Sequence, residues 1–589
     1  MPKKSTRYSN QQLADTFKLI GDMLEIKGEI VYKILAYRKA SDSLINLGRD
    51  VNEYWNEGTL TDIPGVGKAI AEKIDELLST GELEFLNKLA TEVPLSLADI
   101  LQVQGLGPKK VGLFWRELEI TTLEELEEKA RAGELRGLPG MGAKSEEKII
   151  SGIEALARRS GRTPLGVAWP FAQELLTMLR DLPGVTAAEA AGSLRRMRAD
   201  VGDLDILAAA QKSAPVMKAF VERPDVVEIL GHGSTKSSVE FANGLRAQLW
   251  VHPPERFGTA LQYATGAKDH NVRLRELALK QGYSLSEHAF KHVEDESEVL
   301  CETEQEVYSN LGIPWIPPEL REDRGEVKAA QVGNLPALLE LKDHRAELHA
   351  HSDWSDGKVS IREMAEGAIQ RGYRVFAITD HSQSLGIANG LSVERLREQR
   401  LEIAAVQAEL GDEITLLQGT EVEIKADGSL DFPDDVLAEL DIVVASLHTS
   451  LGQPREKVTQ RLLNAIHNPH VDIIGHPTGR LLPDREGADL DMDAILAAAA
   501  ETGIALEINA HPSRLDLEDI YARRAIELGI PLSINCDAHA PDHFDLVHFG
   551  IATARRAWVE PENVINTWEV EKLLSWLSNR TPSADADGR

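Results

Sequence analysis

The sequence predicts a multidomain protein of α and α/β class, helical in its N-terminal part and ending in a β/α barrel. Three observations predict it. A hydrophobic-x-Gly-hydrophobic-Gly turn recurs three times among apolar residues at helical spacing. In the C-terminal part, short β-branched runs end repeatedly in histidine or a carboxylate, as parallel strands do at the chemical mouth of a β/α barrel. Finally, 589 residues exceed what one core organises, so roughly three to five domains are expected.

Composition narrows the class further. Cys301 and Cys536 are the only cysteines, too few for a disulfide framework, which points to a reducing compartment. The start M-P-K-K-S-T-R-Y-S-N has no signal-peptide core, and no apolar run is long enough to span a membrane. A soluble, cytoplasmic protein with no membrane partner is expected. The formal charge of −31 argues against wholesale attraction to nucleic acid, but leaves room for local backbone-amide contacts.

The three turns are I-P-G-V-G-K (Gly65, Gly67), V-Q-G-L-G-P (Gly105, Gly107) and L-P-G-M-G-A (Gly140, Gly142). Each points backbone N–H groups outward at a helix start, which suits a phosphate oxygen. One copy reads equally well as a plain interhelical turn; three favour a helix-hairpin-helix grip on DNA backbone.

A mixed α/β segment follows, containing G-S-L-R-R-M-R-A-D-V-G-D-L-D-I-L. Asp203 and Asp205, two apart on a strand, project from one face and can hold divalent metal for phosphoryl transfer. Alone, such a pair also fits a surface strand. The Gly192-Ser193 turn and the paired Arg195 and Arg196 add groups that can hold a triphosphate.

In the barrel segment, the run ends supply His349, His351 and Asp356 (L-H-A-H-S-D-W-S-D), His381 (T-D-H-S), Glu421 (G-T-E-V-E-I), His448 (S-L-H-T), His476 (G-H-P-T-G-R), and Asp537 and His539 (N-C-D-A-H). Nine such residues in register read as one metal site. Asp380, beside His381, is expected to orient rather than ligate. Arg480 reads as a phosphate ligand or, equally, as half of a structural salt bridge.

These motifs, in this order, resemble the family X DNA polymerases, the group of DNA polymerase beta, in their bacterial form with a C-terminal polymerase-and-histidinol-phosphatase (PHP) domain. The resemblance runs from about residue 10 to 578. It implies helical domains at 1–90 (lyase-like) and 91–165 (fingers) and a nucleotidyltransferase palm and thumb at 166–320, while the proline cluster I-P-W-I-P-P-E-L and the polar stretch after it read as a linker at 321–344. A distorted β/α barrel fills 345–578, and the tail at 579–589, which has no apolar anchor, is expected to be disordered. The resemblance implies that Gly192, Ser193 and Arg196 bind the incoming dNTP, and that Asp203 and Asp205 hold Mg²⁺ or Mn²⁺. Tyr263 and Gly266 would line the sugar, with Asn271 and Arg275 near the nascent base pair. It places a Schiff-base lysine at Lys73, which otherwise reads as a solvated helix lysine.

One departure stands out. In G-L-R-A-Q-L-W-V-H-P-P the family's third catalytic aspartate is Gln248, a neutral amide that cannot take a proton from a primer hydroxyl. Ala264, after the tyrosine, also departs and leaves sugar discrimination open. For the barrel the resemblance implies about three ions, Mn²⁺ or Zn²⁺, as imidazole-rich ligands favour. The expected protein is a monomeric DNA-repair enzyme with weakened synthesis. It acts on gapped or primed duplexes and cleans 3′ ends during base excision repair. A small-molecule phosphatase and a non-polymerising DNA-end scaffold are the alternatives.

Overall fold

The structure, a computed structural model, describes residues 8, 10–45, 51–63, 65–101, 103, 106–158 and 162–580. Gly105 and the tail beyond residue 580 lie outside the described residues. The chain divides into two compact units, 1–161 and 162–589. No helix among the described residues is long and apolar enough to cross a membrane.

The first unit is helical, and a single apolar core runs through it from Leu13 to Ile153. Local sequence sets its boundaries. Gly81, at φ 81°, ends the helix Lys68–Thr80 in the left-handed conformation glycine tolerates. Pro108 opens the helix Pro108–Leu118 at a position where no N–H is missed. A reciprocal Thr122–Glu125 capping box starts the next helix.

The second unit begins with a five-stranded sheet: β1 (Val185–Ala190), β2 (Leu204–Ala210), β3 (Val226–His232), β4 (Lys236–Phe241) and β5 (Arg246–His252), in the order β1-β2-β5-β4-β3. β2 and β5 run parallel, which sets Asp205 beside Gln248. Along β5 burial alternates: Ala247, Leu249 and Val251 face the core, while Gln248, Trp250 and His252 stay half-buried on the cleft side. The stretch 321–344, expected as a linker, is packed. It holds the helix Glu326–Gln331, and Arg321 and Glu326 are buried in ion pairs and hydrogen bonds with Glu304 and His270.

The barrel has seven parallel strands in chain order: β6 (Ala346–Glu347), β7 (Val375–Ile378), β8 (Thr415–Glu423), β9 (Ile442–Ser446), β10 (Ile473–Ile474), β11 (Ala505–Asn509) and β12 (Leu532–Asn535). It closes just past the first and last strands, where His351 N–H donates to the Ala538 carbonyl at 2.8 Å. The barrel is joined to the five-stranded sheet by apolar packing and charge. Leu515, Phe549 and Ala552 enter the core of that sheet, and Arg556 pairs with Glu322 and Asp519.

Candidate metal centre and nucleotide cleft

Six of the seven barrel strands deliver a candidate ligand to one mouth. His349 and His351 follow β6, His381 follows β7, Glu421 lies in β8, His448 follows β9, His476 follows β10, and Asp537 and His539 follow β12. Asp356 comes from the turn after β6. Asp380 shapes that turn by accepting from Ser352 N (2.8 Å) and Ser352 Oγ (2.6 Å), and it does not enter the cluster.

All nine side chains converge. They form four sets whose ligand atoms lie within 4.8 Å of one another: His351/Asp356/His381/His539, His349/His351/Glu421, His349/His476/Asp537 and His381/Glu421/His448. His349, His351, His381 and Glu421 each belong to two of the sets, so the sets form one continuous cluster. Both Glu421 oxygens, His349 Nε2, His381 Nδ1 and His476 Nε2 are buried without a hydrogen-bond partner. Buried polar atoms are rarely left so. They face one another instead, His476 Nε2 at 2.8 Å from Glu421 Oε1 and His381 Nδ1 at 2.9 Å from Glu421 Oε2, and nitrogen and oxygen ligand atoms converging on one space fit divalent transition ions.

Sequence reading missed the residues that aim these ligands. His349 donates Nδ1–H to Glu507 Oε1 (2.8 Å), and His448 donates Nδ1–H to Glu423 Oε2 (2.8 Å), which leaves each Nε2 directed inward. Glu507 sits on β11, the strand without a ligand, and also accepts from His476 N at 2.7 Å. Its signal was present: A-L-E-I-N-A-H is another apolar run at the same mouth, and Glu423 lies two residues from Glu421. His476 (φ 27°) and Asp537 (φ 52°) hold left-handed backbone. Such strain costs about 1–3 kcal/mol and persists where surroundings enforce it.

The charges are coupled. Burial opposes ionisation of Glu421, yet His448, His349 and His381 hold its carboxyl well below the ordinary range. Burial likewise opposes charge on His448, but Glu421 and Glu423 raise it to about 9. At His539 the hydrogen bond to Asp356 overcomes burial and also gives about 9. His351, buried beside His381 and His539, falls to about 3.

Arg480 takes the structural role. Its Nη1 pairs with Glu518 (2.7 Å), its Nε donates to the Arg514 carbonyl (2.6 Å) and its Nη2 to the Leu515 carbonyl. Arg514, which sequence reading passed over, is the guanidinium in the cluster, with Nε 3.3 Å from Asp537 Oδ2.

In the cleft beside β2 and β5, Gly192 (φ 57°) is required by close approach, since a Cβ there would lie 2.1 Å from Asp205 Oδ2. Burial and then the neighbouring Asp203 raise Asp205 to about 6. Gln248 Nε2 donates to Asp203 Oδ2 at 2.8 Å. Ser193 stands half-buried in the same turn. Arg196 is 9% exposed and bound to Glu322 (2.9 Å) and the Thr265 carbonyl, so reaching a triphosphate means leaving that pair. Asn271 donates to the carbonyls of Tyr263 (2.7 Å) and Gly266 (3.2 Å), gathering these three, while Arg275 is exposed.

In the first unit, Gly67 and Gly107 each occupy the N-cap position of a helix, and Gly142 immediately precedes another. Gly65 and Gly140 take positive φ. At Gly67, Gly107, Gly140 and Gly142 an added Cβ would meet nothing within 4 Å. Internal packing therefore does not demand glycine at Gly67, Gly107 or Gly142, where open N–H groups at a helix start suit an anion, whereas at Gly140 the positive φ itself favours glycine. Lys73 lies 5.0 Å from the centroid of Phe85, whose ring Lys33 also approaches at 5.5 Å. Asp75, two residues on, accepts from Trp55 Nε1 at 2.6 Å.

Comparison with known proteins gives matches along the chain. Family models match as a helix-hairpin-helix domain (8–83), a SAM-like helix-hairpin-helix tandem (97–155), a DNA polymerase beta thumb (260–322) and a PHP domain (347–511). The chain is 39% identical over 556 residues to the DNA polymerase/3′-5′ exonuclease PolX of Bacillus subtilis (strain 168), covering 94% of this chain and 96% of that one. Its C-terminal part is 32% identical over 248 residues to a probable phosphatase of Thermoanaerobacter sp. (strain X514), covering 40% of this chain and 94% of the relative.

Proposed function

The chain belongs to the family X DNA polymerases that carry a C-terminal PHP domain, and from that premise we propose that it is a DNA 3′-end nuclease with a weakened polymerase. The observation that carries this is the contrast between the two centres. The barrel assembles nine ligands with orphaned donors, while the palm presents two carboxylates and an amide.

Divalent ions held by the nine residues, Mn²⁺ or Zn²⁺, would supply Lewis acidity toward a phosphate oxygen and lower the pKa of an attacking water. The chain's own residues do the rest. Glu507 and Glu423 fix the imidazoles of His349 and His448, so ligand geometry is set before substrate arrives. Glu421, wholly buried and ionised, brings permanent negative charge to the middle of the cluster. The hairpin turns of the first unit hold the DNA backbone without reading sequence. In the palm, Asp203 and Asp205 keep two anionic positions for Mg²⁺ or Mn²⁺, but the proton of a primer hydroxyl has no third carboxylate to accept it. We place the enzyme in the cytoplasm, trimming damaged 3′ ends at gaps during base excision repair.

The test is a primed template with Mn²⁺. The 3′ strand should shorten, and His349→Ala should abolish the shortening. Full activity in that variant would refute the assigned centre.

A further inference from the structure

The loop after β11 carries a guanidinium that the ligand set does not use. Arg514 pairs through Nε with Asp537, its side chain is only 15% exposed, and its Nη1 is buried with no hydrogen-bond partner. A guanidinium has five donors and no acceptor. A buried, unfilled donor beside a cluster of metal-ligating groups marks the place of an acceptor that arrives with the substrate.

The loop is held so that this donor cannot drift. Arg480 spans the Arg514 and Leu515 carbonyls from one side and is itself anchored on Glu518. Asp516 accepts from the N–H groups of Thr478 and Gly479, both at 2.9 Å, tying the loop to the segment that follows His476. From the other side Leu515 is sunk in the palm core, and Pro512 fills the space over Gly166, where a Cβ would lie 2.5 Å from the proline ring. The Arg514 charge is felt inside the centre: after burial, it is the largest influence lowering the His476 imidazole.

We propose that Arg514 is the substrate-phosphate ligand of the metal centre, donating from Nη1 to a non-bridging oxygen of the phosphodiester at a DNA 3′ end. Arg480 is a positioning residue that acts through the Arg514 and Leu515 carbonyls. This rests on the phosphoesterase reading of the barrel.

The test titrates inorganic phosphate calorimetrically into the Mn²⁺-loaded full chain, with metal content measured in parallel. Arg514→Ala should retain the metal content and weaken phosphate binding roughly 10–100-fold, the range for losing a charge-assisted pair. The KM for a primed 3′ end should rise in step. Millimolar guanidinium should restore phosphate binding to Arg514→Ala but not to Arg480→Met, which should weaken it less. Arg514→Lys keeps the charge facing Asp537 without the planar fork, and should hold metal yet still bind phosphate weakly. Unchanged phosphate affinity in Arg514→Ala would overturn the proposal. So would loss of metal from both Arg514 variants, which would make the residue a support for Asp537. If phosphate fails to bind the unmodified loaded chain, the phosphoesterase reading itself falls.

Discussion

Gln248 Nε2 donates to Asp203 Oδ2 at 2.8 Å, so the amide on β5 is a neutral clasp on that carboxylate. The clasp satisfies Asp203 without adding charge beside Asp205, which burial and Asp203 already raise to about 6.

Restoring the carboxylate should restore synthesis. A general base is worth roughly 10²–10⁴-fold, so Gln248→Asp should extend a primer at least about tenfold faster than the unmodified chain. It should also depend more steeply on Mg²⁺, because three close carboxylates need a cation to ionise together. Single-nucleotide incorporation kinetics measure both.

Glu507→Gln should weaken metal binding by about 10–100-fold with the fold unchanged, because the aim of His349 depends on that carboxylate. Chelator competition with circular dichroism as control measures it. Unaltered affinity would remove Glu507 from the design.

The pH dependence has a definite sign. In the metal-free protein His448 and His539 are raised from 6.5 to about 9. The stability they contribute is fully present below pH 6.5 and lost as pH rises through about 9. The metal-free melting temperature should therefore fall across that window. Apparent Mn²⁺ affinity should climb across it, since loading must displace those protons.

Gly67→Val and Gly107→Val should weaken DNA binding while leaving the melting temperature nearly unchanged, because a side chain at either place meets nothing inside the protein. Electrophoretic mobility shifts at fixed salt, with thermal melts alongside, decide it. A large loss of stability would show that the turns serve packing instead.

The convergence of the nine side chains was legible because most of them lie at or just past the end of an apolar run, so strand periodicity and chemistry pointed to the same mouth. The alternation along β5 was legible for the same reason, and with it the cleft-side place of Gln248. What escaped depended on contacts between residues distant in the chain. Glu507 meets His349 across 158 positions, and Arg480 meets the Arg514 carbonyl across 34. No local pattern states that Arg480 holds a loop and leaves the free donor to Arg514. The packing of residues 321–344 was hidden likewise, since its proline and polar residues read as a tether while Arg321 is buried against Glu304.

The balance between the two centres is best read in a single reaction: a 5′-labelled primer on a longer template, with Mn²⁺ and all four dNTPs. Products shorter than the primer should dominate, and Glu421→Gln should leave the primer largely intact. Rapid extension to full length by the unmodified chain would contradict the account.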